Sequence, residues 1–219
     1  MPHCTRRRFL QAAGVGAAAF WTDRAVAKKK PAANERLHVG VIGTANQAAY
    51  DWSNVAAAGA EIVALCDVDE RMLGKAWERF PKAPVFTDYR QLLDQKGIDA
   101  VIVATPDHMH ALATVAALES GRHVYCEKPL THTVAEARLV ARTAAKYKRV
   151  TQMGTQIHAG ENYRRVVELI QTATIGPVRE VHVWVGTSWG GGSHPDRPHE
   201  TPPIPRGLHY DTWLGPAPY

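Results

Sequence analysis

Val124-Tyr125-Cys126-Glu127-Lys128-Pro129 is the stretch on which the prediction of the fold depends. Residues 122–126 have the apolar character of a buried strand, which leads directly into a lysine between a carboxylate and a proline. Pro129 fixes its own φ and favours an extended backbone at Lys128, which gives the lysine a defined direction. At the carboxyl end of a strand in an open α/β sheet, such a lysine points into the crevice where ligands bind. The alternative is a surface ion pair between Glu127 and Lys128, which would contribute little to stability.

The chain before this stretch alternates between apolar runs and segments of helical spacing. Strands are predicted at residues 37–42, 61–66, 85–86, 100–104 and 122–126, and helices at 46–58, 70–80, 89–95 and 108–120. Strands that are apolar along their whole length are typical of a parallel sheet covered by helices on both faces. The sequence therefore predicts an α/β fold over residues 36–156, with a doubly wound parallel sheet of the dinucleotide-binding (Rossmann) kind.

The turn after the first predicted strand has most of the features of a phosphate-binding loop. Such loops follow the pattern G-x-G-x-x-G or G-x-G-x-x-A, and the run here is Gly43-Thr44-Ala45-Asn46-Gln47-Ala48. Gly43 and Ala48 match the first and third positions, but Ala45 replaces the second glycine. Its methyl group either moves the phosphates outward or requires a shifted loop. The amino terminus of the helix that begins at Asn46 still favours an anion, so Gly43, Ala45 and Asn46 are predicted to bind a cofactor.

An acidic residue lies where a dinucleotide-binding fold uses one. Asp67 follows the second predicted strand, 24 positions after Gly43. A carboxylate there accepts hydrogen bonds from the ribose hydroxyls and repels a 2′-phosphate, so NAD is predicted as the cofactor in preference to NADP. The alternative is that Asp67 caps a helix that starts near Asp69.

No metal site is predicted from the histidines and cysteines. The residues after the fourth predicted strand, Thr105-Pro106-Asp107-His108-Met109-His110, contain two histidines only two positions apart. Such a pair points to different faces of a helix, whereas a two-histidine metal site prefers a spacing of four. The three cysteines, Cys4, Cys66 and Cys126, form neither a disulfide framework nor a cluster of metal ligands. Cys66 and Cys126 are expected to be small buried residues at strand ends.

The first 27 residues are predicted to be an export signal that is not part of the fold. Residues 5–10, Thr-Arg-Arg-Arg-Phe-Leu, closely resemble the twin-arginine motif. The apolar segment 12–21 is too short for a stable membrane helix, and residues 25–27 form a small-x-small cleavage site. Residues 28–35 would then be a polar linker. This prediction makes the twin-arginine export machinery a partner and the periplasm, or another extracytoplasmic space, the location. A basic amphipathic amino terminus is the alternative.

The charge of the chain does not favour a nucleic-acid partner. The formal net charge is +5, and residues 1–27 contribute +3 through four arginines and one aspartate, which leaves +2 for the remainder. A nucleic-acid surface needs a clearly basic patch, so no nucleic acid is expected to bind.

Six motifs, in order along the chain, resemble those of the Gfo/Idh/MocA oxidoreductases. They are Val39–Gly43, Cys66–Asp69, Thr105–His110, Glu127–Pro129, Gln152–Gln156 and Asp211–Pro216. The Glu-Lys-Pro motif is the most distinctive, and together the motifs extend over nearly everything after the predicted signal. The resemblance implies a nicotinamide cofactor, a sugar or polyol substrate, and a second α/β domain with a large open sheet.

The resemblance also implies roles for individual residues. Lys128 would be catalytic, lying near the nicotinamide and the reacting carbon, where it steers the substrate hydroxyl or shares its proton. Glu127 and Pro129 would shape that turn. Further cofactor contacts are implied for Thr105, Pro106, His110, Glu127, Lys128 and Gln156. Gln156 would end the sixth strand beside the nicotinamide, and a solvated loop amide is the alternative.

Residues 157–219 are interpreted as the first part of the second domain, which would serve substrate binding or oligomerisation. A helix is predicted at 161–172 and a strand with two distinct faces at 178–187. Because family members continue well beyond the position of Tyr219, the chain is expected to be a fragment or a truncated reading frame. It would then lack the later aspartate and histidine that complete the family's catalytic group.

The leading hypothesis is an NAD(P)-dependent oxidoreductase that transfers hydride to or from a sugar-like or polyol substrate and forms a homo-oligomer when full length. One alternative is NAD-dependent glycoside hydrolysis, in which the sugar is oxidised transiently and reduced again. Another is a truncated nucleotide-binding domain without turnover. Accumulation of NADH would distinguish net oxidation from glycoside cleavage.

Replacement of both Arg6 and Arg7 by lysine should stop export, because paired arginines define the twin-arginine signal. The double variant should stay uncleaved in the cytoplasm, whereas the parent is processed after Ala27. Cell fractionation and the mass of the recovered protein check this outcome. Continued processing of the double variant would contradict the prediction.

Overall fold

The computed structural model describes residues 36–184 and 201–218. The predicted export signal, residues 1–27, and the linker, residues 28–35, lie outside these ranges, so both stay predictions. The described residues from Leu37 onwards belong to one compact unit. None of the helices in the described ranges is long and apolar enough to cross a membrane.

In the described ranges, six short strands form one parallel sheet. They are β1 (His38–Ile42), β2 (Glu61–Cys66), β3 (Val85–Phe86), β4 (Ala100–Val103), β5 (His123–Glu127) and β6 (Thr151–Gly154). Their order across the sheet is β3-β2-β1-β4-β5-β6, and each neighbouring pair is parallel. The strand order reverses between β1 and β4, which opens a crevice at the carboxyl ends of these strands.

The helices of the described ranges are α1 (Gln47–Ala57), α2 (Gly74–Arg79), α3 (Tyr89–Leu93), α4 (His110–Glu119), α5 (Val134–Tyr147), α6 (Glu161–Gln171) and α7 (Tyr210–Leu214). Helices α1 to α5 connect the strands and cover both faces of the sheet, and α6 and α7 follow the last strand. Short 3₁₀ turns precede α4 at Asp107–Met109 and follow β6 at Gln156–Ala159. The predicted α/β fold with a doubly wound parallel sheet is therefore confirmed.

Two apolar cores lie on the two faces of the sheet. Val101 and Val103 of β4 belong to one core and Ile102 to the other, as the alternation of side chains along a strand requires. Helices α1 and α2 cover the core that contains Ile102, and Trp52 is the largest side chain that they bury there. Helices α3, α4 and α5 cover the opposite core, to which α4 contributes Leu118. Every central strand is thus covered on both faces, which explains its continuous apolar sequence.

Helix α5 was not identified from the sequence, although its first turn carries a clear signal. The Thr133 side chain accepts a hydrogen bond from the Glu136 N–H, and the Glu136 side chain accepts one from the Thr133 N–H. This reciprocal pair is a capping box, which satisfies N–H groups that a helix start leaves free. The helix predicted at 161–172 is confirmed as α6.

Residues 178–184 differ from the prediction of a strand over 178–187. They have no regular secondary structure, and residues 185–187 lie outside the described ranges. Val181, Val183 and Trp184 are 74%, 86% and 81% exposed. A strand needs a neighbour for its N–H and C=O groups, and no strand of the described chain pairs with this segment. For its described part, the alternation of apolar and polar residues predicted the wrong structure.

Candidate functional site

A cleft opens at the carboxyl ends of β1, β2 and β4, where the strand order reverses. Its volume is about 550 Å³, which is within the range of sites that hold cofactors and other small molecules. The turn after β1, the loop after β2 and the turn after β4 form three of its walls. The predicted site residues in these walls are Gly43, Ala45, Asn46, Asp67, Thr105 and Pro106. The other predicted site residues, His110, Glu127, Lys128 and Gln156, lie outside them.

Gly43 has a conformation and a packing environment that require glycine. Its φ is +85°, and a Cβ atom would lie 2.5 Å from the carbonyl oxygen of Ala104. Its N–H donates to the carbonyl oxygen of Cys66 at 2.8 Å. The turn after β1 is thereby held between the ends of β2 and β4, and it brings the amino terminus of α1 to the cleft.

Ala45 takes the place of the second glycine without backbone strain. The next residue of this turn with a positive φ is Asn46, with φ +52° and ψ −118°, which lies outside the left-handed helical region that asparagine commonly adopts and in a region that favours glycine. Helix α1 begins at the next residue, Gln47, which lines the cleft. The Ala48 and Ala49 N–H groups donate to the carbonyl oxygens of Ala45 and Asn46, which leaves the Gln47 N–H for a ligand. Whether the Ala45 methyl displaces a bound phosphate stays a prediction.

Asp67 joins the end of β2 to the turn after β1. Its Oδ2 accepts hydrogen bonds from the Thr44 N–H and the Thr44 hydroxyl, each at 2.9 Å, and its Oδ1 accepts the Asp69 N–H at 3.0 Å. A carboxylate has about four acceptor sites, so roughly one remains for a ligand in the cleft. The alternative role as a helix cap does not describe this residue, because the next helix, α2, begins only at Gly74.

Two residues that support this arrangement were missed in the sequence analysis. Thr44 is 2% exposed, and its hydroxyl and N–H both reach Asp67. The indole N–H of Trp52, on α1, donates to the Thr44 carbonyl oxygen at 3.1 Å. Position 44 is variable in the G-x-G pattern, so no local signal indicates that its side chain is structural.

Thr105 and Pro106 form the wall of the cleft that follows β4. The hydroxyl oxygen of Thr105 is buried and has no hydrogen-bond partner among the described residues, which suits it to a polar ligand group. His110 lies behind this wall and is 1% exposed. Its Nε2 is 2.8 Å from the Thr105 carbonyl oxygen, and its Nδ1 is 2.6 Å from that of Pro129. His110 thus connects the turns after β4 and β5 and supports the cleft from outside.

Glu127 is buried at the end of β5, with 3% of its surface exposed. Its Oε1 accepts hydrogen bonds from the Gln156 amide at 2.6 Å and from the Tyr125 hydroxyl at 3.1 Å. A Cβ atom on Gly154 would overlap this carboxylate, so the glycine in β6 makes room for it. Because Glu127 is buried, a surface ion pair with Lys128 does not describe this turn.

Lys128 is exposed at the end of β5, and its backbone N–H is 3.3 Å from Oε2 of Glu127. The peptide bond between Lys128 and Pro129 is cis. Gln156 was predicted to end the sixth strand, but β6 ends at Gly154 and Gln156 begins a 3₁₀ turn. The turn directs the Gln156 amide towards Glu127, so Gln156 contacts the carboxylate next to Lys128.

Asp51 is a second buried carboxyl group close to Glu127, and no sequence pattern indicated its role. It lies on α1, is 4% exposed, and its Oδ2 has no hydrogen-bond partner among the described residues. Burial raises the pKa of Asp51 to about 6, and the charge of Glu127 adds to this effect. Burial and these two acids also raise the pKa of the Tyr125 hydroxyl, which therefore stays a hydrogen-bond donor. The three groups form a polar network beneath the Lys128 turn.

Cys66 and Cys126 are buried, as predicted, and burial raises the pKa of both thiols. Thiols in such surroundings are unreactive. Within residues 36–184 and 201–218, no group of three or more histidine, cysteine, aspartate or glutamate side chains could hold a metal ion.

Comparison with known proteins places this cleft in a family context. The sequence profile of the Gfo/Idh/MocA oxidoreductases, described by an NAD-binding Rossmann fold, matches residues 37–155. Inositol 2-dehydrogenase 1 of Saccharopolyspora erythraea is 35% identical over 150 residues, which are 67% of this chain and 44% of that protein. A glycosyl hydrolase family 109 protein of Shewanella pealeana is 28% identical over 198 residues, which are 78% of this chain and 43% of that protein. The chain spans less than half the length of these relatives.

A solved structure has the same fold. Scyllo-inositol dehydrogenase from Lactobacillus casei, with bound NAD(H) and scyllo-inositol, matches with a TM-score of 0.60 and 24% sequence identity. The match covers 64% of this chain and 42% of that chain. At this identity the likeness concerns the fold alone.

The parent should become less stable as the pH rises, because Asp51 must ionise while buried. Asp51→Asn should not show this decrease. The folded-state pKa of Asp51, about 6, is above its usual value of 3.8, so the folded state binds more protons between these values and stability falls through that window. Asparagine carries no charge at any pH. As the pH rises from 4 to 7, the free energy of unfolding of the variant should therefore increase by about 1–3 kcal/mol relative to that of the parent.

Urea unfolding of variant and parent across this pH range measures the difference. Asp94→Asn, at an exposed aspartate, is the matched control and should follow the parent. The prediction fails if Asp51→Asn and Asp94→Asn show the same pH dependence.

Proposed function

This chain belongs to the Gfo/Idh/MocA family of oxidoreductases with an NAD-binding Rossmann fold, and we propose that the whole protein transfers hydride between NAD and a carbon that carries a hydroxyl group in a polyol or sugar. The observation that carries the proposal is the position of Asp67. Its carboxylate lies at the end of β2, in the wall of a cleft at the point where the strand order reverses. This is where dinucleotide-binding folds hold the ribose.

The residues of the cleft fit a dinucleotide. The Gln47 N–H at the amino terminus of α1 is available for the pyrophosphate, and Asp67 has about one acceptor site left for a ribose hydroxyl. The unpaired hydroxyl of Thr105 suits a polar group of the cofactor. A carboxylate at Asp67 repels a 2′-phosphate, so we propose NAD in preference to NADP. When bound, NAD supplies the group that accepts or returns the hydride.

Lys128 is the residue that we propose to handle the substrate proton. It follows β5 directly and is exposed, so its ammonium group is accessible to a substrate. The backbone on either side is held, because Glu127 is buried in hydrogen bonds and the Pro129 carbonyl oxygen contacts His110. A lysine anchored in this way can orient a hydroxyl group and take or return its proton as the hydride leaves or arrives.

The substrate class that we propose is a cyclic polyol such as an inositol. The Saccharopolyspora erythraea relative is an inositol 2-dehydrogenase, and the Lactobacillus casei neighbour binds scyllo-inositol. Both proteins are more than twice as long as the part that matches this chain. We therefore propose the substrate class for the whole protein.

A second candidate is NAD-dependent glycoside hydrolysis. The glycosyl hydrolase family 109 relative matches 78% of this chain, more than the 67% matched by the inositol dehydrogenase, although its identity is lower. In that chemistry the hydride is removed and then returned, so a glycoside is cleaved without accumulation of NADH. NAD-dependent glycosidases are exceptions to hydrolysis by two carboxylates.

We also propose export by the twin-arginine route to an extracytoplasmic space and assembly of the whole protein as a homo-oligomer. Export is supported by the arginine motif in residues 5–10 and the small-x-small site at 25–27. The twin-arginine route carries folded proteins, which suits a protein that takes up its cofactor before export. Oligomerisation is supported by the family resemblance alone.

Asp67→Ala should weaken NAD binding by about ten- to a hundredfold and lessen the preference for NAD over NADP, because it removes a charged hydrogen-bond acceptor. Titration calorimetry with both dinucleotides measures these affinities. Thr44→Val is the matched control, since it removes a hydroxyl that Asp67 holds but keeps the carboxylate. It should lose less affinity and retain the preference. Equal affinities of the parent for NAD and NADP would contradict the proposal.

Lys128→Met in the whole protein should lower the rate of hydride transfer by about 10²–10⁴-fold and leave NAD affinity unchanged, because methionine keeps the length of the side chain but carries no proton. Lys128→Arg should recover little activity, since a planar guanidinium does not replace a titratable amine. Single-turnover absorbance of the nicotinamide, with myo-inositol as substrate, gives the rate. A Lys128→Met rate close to that of the parent would show that the lysine is structural.

A further inference from the structure

The segment 207–215, called the strap below, forms part of the cleft although it lies far beyond residues 37–155, which the family profile matches. Leu208, Thr212 and Trp213 are among the residues that line the cleft. We propose that the strap is a cofactor-retaining element whose contacts with the sheet limit the rate at which the dinucleotide leaves. This inference rests on the proposed function, because it assumes that the cleft holds NAD.

The first anchor of the strap is the loop that follows β2. The Glu70 N–H donates to the Gly207 carbonyl oxygen at 2.9 Å, and the His209 N–H donates to the Val68 carbonyl oxygen at 2.8 Å. Asp69 and Leu208, between these bonds, form an antiparallel bridge. The strap is therefore paired through its backbone with the residues next to Asp67.

The second anchor lies on the opposite side of the cleft, after β4. Nε2 of His108 is 2.8 Å from the Trp213 carbonyl oxygen, and the two rings meet edge to face with centroids 5.5 Å apart. Gly215 packs so closely on Met109 that a Cβ atom would overlap the methionine sulfur. The strap is thus attached to both the β2 side and the β4 side of the cleft.

The arrangement of the strap gives it a direct effect on a bound ligand. Trp213 is a large, mainly apolar side chain that lines the cleft and is 38% exposed, so a dinucleotide would cover apolar surface there. A ligand in the cleft would lie between this wall and the turn 43–47. Release then requires the strap to separate from at least one anchor, which slows dissociation.

The backbone pairing holds the strap more firmly than the nearby ion pair does. Nε2 of His209 is 3.1 Å from Oε1 of Glu70, but both side chains are about half exposed. Such surface pairs contribute little. The backbone hydrogen bonds are therefore the better target for mutation. At His209, the backbone bond to Val68 and the side-chain contact with Glu70 can be removed by different substitutions. Its φ of −80° is compatible with proline, which lacks an N–H.

The test compares His209→Pro with His209→Ala in the complete 219-residue chain. Both variants lose the ion pair with Glu70, and only the proline variant also loses the bond to Val68. NADH is bound first and then displaced by excess NAD in a stopped-flow instrument, with nicotinamide fluorescence as the signal. NADH should leave His209→Pro about two- to tenfold faster than His209→Ala, as expected for one lost hydrogen bond. Equal rates overturn the role of the strap.

A second measurement follows the proteolytic accessibility of the strap and needs no fluorescent ligand. Arg206, next to the strap, is exposed and followed by Gly207, so trypsin can cleave there. Saturating NAD should slow cleavage after Arg206 in the parent, because the ligand holds the strap against its anchors, and His209→Pro should lose most of this protection. Cleavage that is equally fast with and without NAD overturns the inference.

The outcomes separate the strap from the proposed function. A parent chain that binds neither NAD nor NADH removes the proposed function and, with it, the inference. A parent that binds NADH and releases it at the same rate as both variants leaves NAD binding intact and overturns the strap alone.

Discussion

The hydrogen bonds from Thr44 to Asp67 are the interaction on which the cleft depends. They join the turn after β1 to the end of β2, and Trp52 holds the same turn from the side of α1. One carboxylate therefore positions the amino terminus of α1 and presents its remaining acceptor site to the cleft. The proposed discrimination between NAD and NADP is for this reason coupled to the shape of the turn after β1.

A polar network lies beneath the Lys128 turn, and its two buried carboxyl groups differ in how far hydrogen bonds compensate their burial. Glu127 is compensated by the Tyr125 hydroxyl and the Gln156 amide, whereas Oδ2 of Asp51 has no partner among the described residues. Because Asp51 is buried and lies near the charge of Glu127, its pKa is raised and it keeps its proton to a higher pH than an exposed aspartate does. The network holds the backbone next to Lys128 in place, and the lysine side chain stays exposed.

The cleft is assembled from parts of the chain that are distant in sequence. Residues 43–47 and 67–69 belong to the strand-helix pattern, but Leu208 and Trp213 come from the last described segment, 201–218. The pairing of Leu208 with Asp69 brings this segment to the side of the cleft that contains Asp67, and His108 holds it on the other side. A dinucleotide in the cleft would therefore contact both the sheet domain and the segment that follows it.

The sequence by itself determined the sheet, the glycine turn and Asp67, because these depend on local patterns: apolar strands, a glycine after β1 and an acid after β2. Tertiary structure decided the rest. Residues 178–184 alternate like a strand but have no partner strand in the described chain, and the Gln156 amide meets Glu127 only because β5 and β6 are neighbours. The burial of Asp51 and the pairing of the strap with the loop after β2 likewise depend on contacts between distant positions. Local periodicity records which face of an element is apolar, but it does not record which polar groups the fold brings together.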